Sequence, residues 1–226
     1  MGAILKALGA AVATVVMIPL VLTVVYAYMD PPSLAIMRRQ DAGDTVHQEW
    51  IPLDEMSPDL VRGVIMAEDA RFCLHWGLDL RQMRLVVEEA MSGEAPRGAS
   101  TITMQVVKNL FLWPERSYLR KAVEVPLALW MDLVLSKKRI LEIYLNTAQF
   151  SGSAYGVEAA AQQAFDRSAG DLTREQALAL ATVLPAPSAR KAARPSRRQR
   201  AVIAHVEREL DRAPWVFTCL SAPFRS

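Results

Sequence analysis

Residues 7–29 carry no charged side chain over 23 consecutive positions and are rich in Ala, Val and Leu. A helix of that length reaches across the hydrocarbon core of a bilayer. Pro19 is tolerable there as a kink, and Tyr26 and Tyr28 stand where interfacial aromatics are expected. A cleaved signal peptide is the competing reading. The run is longer than an ordinary signal core, however, and no A-x-A site follows it. The expectation is one transmembrane helix, retained as an anchor within residues 1–30. Its flanking charges do not orient it, with Lys6 on one side and Arg38 and Arg39 beyond the other.

The rest of a 226-residue chain that is 52% hydrophobic suffices for one sizeable domain. A formal charge of +2 produces no whole-protein field for a polyanion, so nucleic acid is not an expected partner. Neither Cys73 nor Cys219 has metal-ligand spacing. No G-x-G-x-x-G or P-loop occurs, which argues against a nucleotide cofactor.

Residues 31–56 read as a linker and lead-in, with Pro31, Pro32, Gly43 and few periodic apolar positions. The domain is expected over residues 57–226. Ser57-Pro58 supplies an N-cap and a first-turn proline for a helix ending near Phe72. Val61, Val64, Ile65 and Phe72 form its apolar stripe, and the position completing that stripe is Glu68. A carboxylate facing a core is costly unless a cavity, partner or substrate receives it. Burial would raise its pKa toward a value suited to accepting a proton near neutrality. Pairing with an Arg, or escape to water at a frayed helix end beside Asp69, are the plain alternatives. Trp76-Gly77 is read as a turn returning His75 and Asp79 toward that helix.

After Gly98, Ser100 or Thr101 can cap a helix that turns Ile102, Val106 and Leu110 inward. Thr101, Gln105 and Lys108 form a polar line that suits a phosphate-bearing ligand; an ordinary cap with a solvated face is the alternative. LFLWP at residues 110–114 reads as buried core, or as a lip touching membrane. Ser117 is expected to cap a long helix to about Leu135, kinked at Pro126, with Arg120 and Glu124 as an i,i+4 pair. Ser136 starts KKRILEIYLN, buried on several sides. Gly152 and Gly156 bracket a turn before VEAAAQQAF. Thr173 and Gln176 form a capping box for residues 174–184, and Ser196 and Gln199 repeat it before a final helix carrying Val202, Val206 and Leu210. The fold class is mainly α, with no strand of useful length.

Four blocks stand in order: EDARF with His75 and Gly77; GASTITMQVVKNLFL; RKAVE followed by SKKRILEIYLN; and YGVEAAAQQAF. Together they resemble the peptidoglycan glycosyltransferases of family 51, among them the monofunctional biosynthetic transglycosylases. The resemblance covers residues 54–188. It departs from the usual pattern at Ala99, Met104, Asp132 and Ser151. It implies a lysozyme-like, two-lobed helical domain on the outer (periplasmic) face of the cytoplasmic, inner membrane, with the N-terminus inside. The implied reaction polymerises lipid II into β-1,4 glycan strands, inverting the anomeric carbon and releasing undecaprenyl pyrophosphate.

By the same resemblance Glu68 is the general base and Glu124 the second carboxylate, assisting the departing pyrophosphate. Lys108, Arg116 and Arg120 match the basic residues around the pyrophosphate, and Ser100, Thr101 and Gln105 match polar contacts to phosphate and sugar. A divalent cation, Mg or Mn, would travel with the pyrophosphate and not in a dedicated protein site. The implied partners are lipid II, the growing glycan and the membrane, with other cell-wall or division proteins as further candidates. A glycan-cleaving lytic transglycosylase and a non-catalytic lipid II-binding scaffold are the alternatives from other classes. By length, no transpeptidase domain carrying S-x-x-K and K-T-G motifs follows, so the bifunctional class is not expected. In an oxidising compartment Cys73 and Cys219 could form a bridge; two separate buried thiols are the other reading.

Overall fold

The computed structural model describes residues 2–92, 98, 100–115, 117–184 and 186–221. In chain order the helices are α1 (Gly2–Val25), α2 (Leu34–Asp41), α3 (Pro58–Glu68), α4 (Leu80–Met91), α5 (Ile102–Phe111) and α6 (Tyr118–Val134). They continue as α7 (Lys137–Thr147), α8 (Val157–Phe165), α9 (Arg174–Ala181), α10 (Arg197–Arg212) and α11 (Thr218–Ser221). The mainly helical expectation is met. Among the described residues the strands are two-residue segments, β1 (His47–Gln48) and β2 (Ala154–Tyr155), paired in parallel with His47 opposite Ala154.

Five helix starts follow from hydroxyl caps that satisfy an otherwise unpaired amide. Thr101, Ser117, Ser136, Thr173 and Ser196 each accept from the backbone N–H three residues on. At Thr173 the box is reciprocal, with the Gln176 side chain accepting from the Thr173 amide. At Ser196 only half of it forms, because the Gln199 side chain turns into the core and reaches Ala179 O at 3.5 Å. Ser57 makes no side-chain cap, and α3 starts on Pro58 alone. α6 runs through Pro126 without interruption, and α9 ends at Ala181, short of the expected residue 184.

α5 and α7 form the centre of the core. Ile102, Met104, Val106 and Val107 face Ile140, Leu141, Ile143 and Leu145, all buried. α3 lies against α9 at Gly63, where a Cβ would come within 2.8 Å of Leu178 Cδ2. Residues 110–113 also belong to this core: Leu110 and Leu112 are buried, and Phe111 and Trp113 pack against it.

Three departures from expectation bear on the site. First, α3 stops at Glu68, one turn early, and Phe72–Leu74 form a separate 3-10 turn. Asp69 leaves helical geometry as the C-cap, which lets its carboxylate accept from His75 Nε2 and from Ile102 N, each at 3.0 Å. Second, the stretch read as a linker contains α2, whose Ile36 is buried; Ser33 Oγ donates to Asn109 O and Arg38 to Leu112 O. Third, the end of α1 is built into the domain. Trp130 Nε1 donates to Leu20 O at 3.1 Å, Arg139 donates to Tyr26 O at 2.8 Å and Met29 O at 2.6 Å, and the Tyr26 ring stacks on Phe111. Among the described residues no helix is long and apolar enough to cross a membrane.

Cys73 and Cys219 are joined, with Cα atoms 5.3 Å apart. The bridge fastens α11 and the preceding turn at Pro214–Phe217 beside the turn that follows Glu68. Arg62 of α3 stacks over the Phe217 ring at 5.6 Å.

Candidate active site

Glu68 is the last residue of α3, and α5 and α7 present Gln105 and Tyr144 to it. Gln105 Nε2 donates to Glu68 Oε2 at 3.0 Å, and Gln105 Oε1 accepts from the Tyr144 hydroxyl at 3.1 Å. Glu68 Oε1 is buried with no hydrogen-bond partner. Burial pushes the Glu68 pKa up; hydrogen bonding and the Arg190 guanidinium oppose this, and Asp69 reinforces it. Tyr144 is buried, which drives its own pKa well up and keeps its proton on oxygen. Among the described residues no Arg pairs with Glu68; it does stand at the helix end beside Asp69 and is half-buried, but its Oε1 is shielded.

α5 carries Lys108 one turn beyond Gln105. Its ammonium makes no hydrogen bond or ion pair with the described residues. Burial lowers its pKa, Glu124 and Glu68 raise it, and Arg120 and Lys121 lower it further. Lys108 therefore lies within the fields of both candidate carboxylates. α6 supplies Glu124, Arg120 and Lys121. Glu124 is only 2% exposed, with Oε2 accepting from Arg120 at 2.5 Å and Oε1 from Lys121 at 2.8 Å. The i,i+4 pair foreseen in the sequence is thus a three-member cluster around a buried carboxylate, with Lys121 partly exposed. Lys121 also reaches Ser100 Oγ at 3.0 Å.

A cleft of about 490 Å³ opens beside these groups, with Arg38, Gln105, Lys108, Tyr144, Leu184 and Pro187 in its wall. A larger cavity of about 1240 Å³ lies where α3 begins and α6 meets α7, and no candidate site residue lines it. Chemistry selects the smaller one, because its wall holds Lys108 and touches Glu68 through Gln105 and Tyr144.

Of the residues singled out from the sequence, Glu68 and Gln105 are in direct contact, as are Arg120 and Glu124; Lys108 couples electrostatically to both carboxylates. Thr101 is committed to the fold: its hydroxyl is buried, donates to Gly77 O at 2.6 Å and caps α5. Ser100 is exposed and engaged by Lys121. Gln105 is occupied by Glu68 and Tyr144. Arg116 lies outside the described residues.

The sequence reading passed over Tyr144, treated only as core, and over Lys121 and Arg190. Lys121 stands at i,i+3 from Glu124, a spacing that could have flagged it. It also passed over the frame that fixes α5. Gly77 adopts φ +71° against Ala128, where a Cβ would meet the carbonyl oxygen at 2.4 Å. Asp132 accepts there from Gly77 N, Thr103 and Lys137.

The site does not fit a protein-held metal. Both oxygens of Glu124 are taken by cations, and among the described residues no group of three or more His, Cys, Asp or Glu could hold an ion.

The chain is 44% identical over 219 residues to the biosynthetic peptidoglycan transglycosylase of Rhizobium etli, spanning 96% of this chain and 94% of that one. It is 47% identical over 206 residues to the protein of that name from Brucella suis, at 90% and 92% coverage. To that of Rhodopseudomonas palustris it is 50% identical over 179 residues, at 78% and 79% coverage. With the transglycosylase family model matching residues 35–209 as well, the chain belongs to the transglycosylase family.

Proposed function

We propose that the chain is a peptidoglycan glycosyltransferase that lengthens glycan strands from lipid II. The observation that carries this reading is Glu68: a half-buried carboxylate, oriented by Gln105, with one shielded oxygen unpartnered, beside a cleft whose wall holds the Lys108 cation. In the reaction the 4-hydroxyl of lipid II attacks the anomeric carbon of the growing chain. Its proton passes to Glu68 as the new glycosidic bond forms, and the bond from the anomeric carbon to pyrophosphate breaks with its electron pair going to the phosphate. Lys108, Arg120 and Lys121 face the charge that builds on this leaving group. Glu124 acts through the two cations it holds. Ser100 and Arg116 remain candidates for contact with the phosphates and sugars. A divalent cation, if used, comes bound to the pyrophosphate, and its role would be to neutralise charge there.

The domain is proposed to work as a lysozyme-like, two-lobed fold at a membrane surface, with α1 as its anchor. The 23 uncharged residues of the N-terminal run support this, as do exposed apolar side chains on α1 and α6. Val16, Met17, Val21 and Val24 are exposed on α1, and Leu119, Leu129 and Leu133 on α6, the helix α1 packs against. The Cys73–Cys219 bridge suits an oxidising compartment outside the cytoplasmic membrane.

Full-length protein incubated with labelled lipid II tests the reaction. Elongating glycan with release of undecaprenyl pyrophosphate is expected. Shortening of preformed glycan would support the lytic reading, and binding without turnover would support the scaffold.

A further inference from the structure

Just past the cleft wall the chain enters its most strongly charged stretch. Residues 190–200 hold six cations in 11 positions, and no Asp or Glu occurs between Glu175 and Glu207. Lys191, Arg194, Arg197 and Arg198 are exposed and make no hydrogen bond or ion pair with the described residues. The fold gains nothing from them. Ser196 already caps α10, and Arg197 and Arg198 stand at the positive end of its dipole, where acidic side chains are the stabilising ones. The packing of α3, α9 and α10 on one another fixes where the stretch lies. Arg174 pairs with Asp59 at 3.5 Å and with Asp211 at 2.8 Å, which brings together the starts of α3 and α9 and the end of α10. At the opposite end Gln199 reaches Ala179 O, Arg190 Nη1 donates to Thr182 O at 2.7 Å, and α3 finishes in Glu68. The cations therefore gather at the Glu68 end of the three helices. Ala27 and Tyr28, just beyond α1, line the larger cavity with Asp59, Arg174 and Asp211, at the other end. The 16 residues of α10 span about 24 Å between the two ends.

We infer that Lys191, Arg194, Arg197 and Arg198 form a docking surface for the carboxylate-bearing peptides of the glycan strand. Lipid II and its polymer carry a short peptide with free carboxylates on every second sugar, so a strand at the cleft presents a row of flexible anions. The cleft wall and the surface belong to one loop. Pro187 is in the wall, and Lys191 follows four residues later, at most about 14 Å along the chain. A peptide on a sugar held in the cleft spans that distance. Lipid headgroups fit less well. With α1 as the anchor, a bilayer at Tyr28 is one length of α10 away, well beyond the Debye length of roughly 8 Å at physiological salt.

The inference rests on the glycan-polymerising reading above, and its test reads binding so that the two can fail separately. Full-length protein in detergent micelles is titrated with fluorescent glycan strands that carry their peptides, with the same strands stripped of peptide by an amidase, and with phosphatidylglycerol vesicles. Wild type should bind the peptide-bearing strands at least ~10-fold more tightly than the stripped ones, and added salt should erase the difference. The triple variant Arg194→Gln, Arg197→Gln, Arg198→Gln should lose that preference with a melting temperature no lower than wild type. The matching triple Lys variant should keep it, because charge is what the surface supplies. Equal binding of the two strands by wild type overturns the proposal, as does loss of the preference in the Lys variant. A Gln variant that keeps the preference and loses vesicle binding also overturns it, and gives the surface to lipid. Wild-type protein that prefers peptide-bearing strands yet never elongates lipid II would leave the docking surface standing and remove the proposed reaction instead.

Discussion

Gln105 donates to Glu68 Oε2 at 3.0 Å through its amide nitrogen while its amide oxygen accepts from the Tyr144 hydroxyl at 3.1 Å. Since the tyrosine keeps its proton, the amide has one satisfactory orientation, with its NH2 toward Glu68. The relay fixes the carboxylate as an acceptor and leaves Oε1 without a partner. Gln105→Leu should therefore impair turnover more than substrate binding, with kcat falling several-fold and KM changing little. Steady-state kinetics on labelled lipid II measures the split.

Replacing Glu68 by Gln preserves the shape of the site and removes the base. Polymerisation should fall by at least ~10²-fold with the circular dichroism spectrum unchanged. Wild-type turnover in this variant would eliminate Glu68 as the base.

The same variant should gain stability at neutral pH. The Glu68 pKa is raised in the folded state, mainly by burial. Above that value the native protein holds a charge that the unfolded chain would rather carry, so ionisation costs stability there. Below the ordinary carboxylate range both states are protonated and the cost disappears. Glu68→Gln should thus melt a few degrees higher than wild type at pH 8, on the scale of about 1 kcal/mol for a chain of this size. The gain should shrink as pH falls toward 4, which calorimetry at several pH values will show.

Lys108 and Glu124 should separate under mutation. Lys108 has no hydrogen-bond or ion-pair partner among the described residues, so Lys108→Ala should leave the melting temperature nearly unchanged while reducing turnover at least ~10-fold. Glu124→Gln strands Arg120 and Lys121 and should cost roughly 2 kcal/mol. That is less than removing one partner of a fully buried pair, because Lys121 is partly exposed. Denaturant melts of both variants distinguish a cation placed for substrate from a carboxylate holding its neighbours.

The apolar positions divide in the same way. Phe111 stacks on Tyr26 and packs on the core, so Phe111→Ser should destabilise by about 3 kcal/mol. Leu119→Ser with Leu133→Ser alters exposed positions of α6. It should leave the melt alone and weaken sedimentation with lipid vesicles. Equal melts for the two sets would reverse the assignment of core and surface.

Much of the scaffold was legible because helix caps and 3.6-residue periodicity are local. Thr101, Ser117, Ser136 and Thr173 cap as read, and Glu68 emerged from a single break in an apolar stripe. What stayed hidden was long-range. Nothing near Tyr144 says that its hydroxyl meets Gln105, 39 residues away. Nothing near Ile36 says that a short polar helix will bury it against α5. The early end of α3 was equally hidden, because the hydrogen bond from Ile102 N that draws Asp69 out of the helix comes from 33 residues downstream. The disulfide, 146 residues in span, closed a question that spacing alone had left open.

The hold of Trp130 on the last turns of α1, and of Arg139 on the residues just after it, has a mechanical consequence. A catalytic head on a loose tether would sweep a volume and sample many heights. A head bolted to its stem has one height and one heading, and it turns only when the stem turns. If α1 is the bilayer anchor proposed above, the mouth of the cleft would keep a constant distance from the lipid surface, and any tilt of α1 would pass directly into the angle at which the cleft faces it. Breaking the hold with Trp130→Phe and Arg139→Ala would release that coupling while leaving Glu68 and its neighbours intact, so lost polymerisation on membranes with retained binding would be a failure of aim.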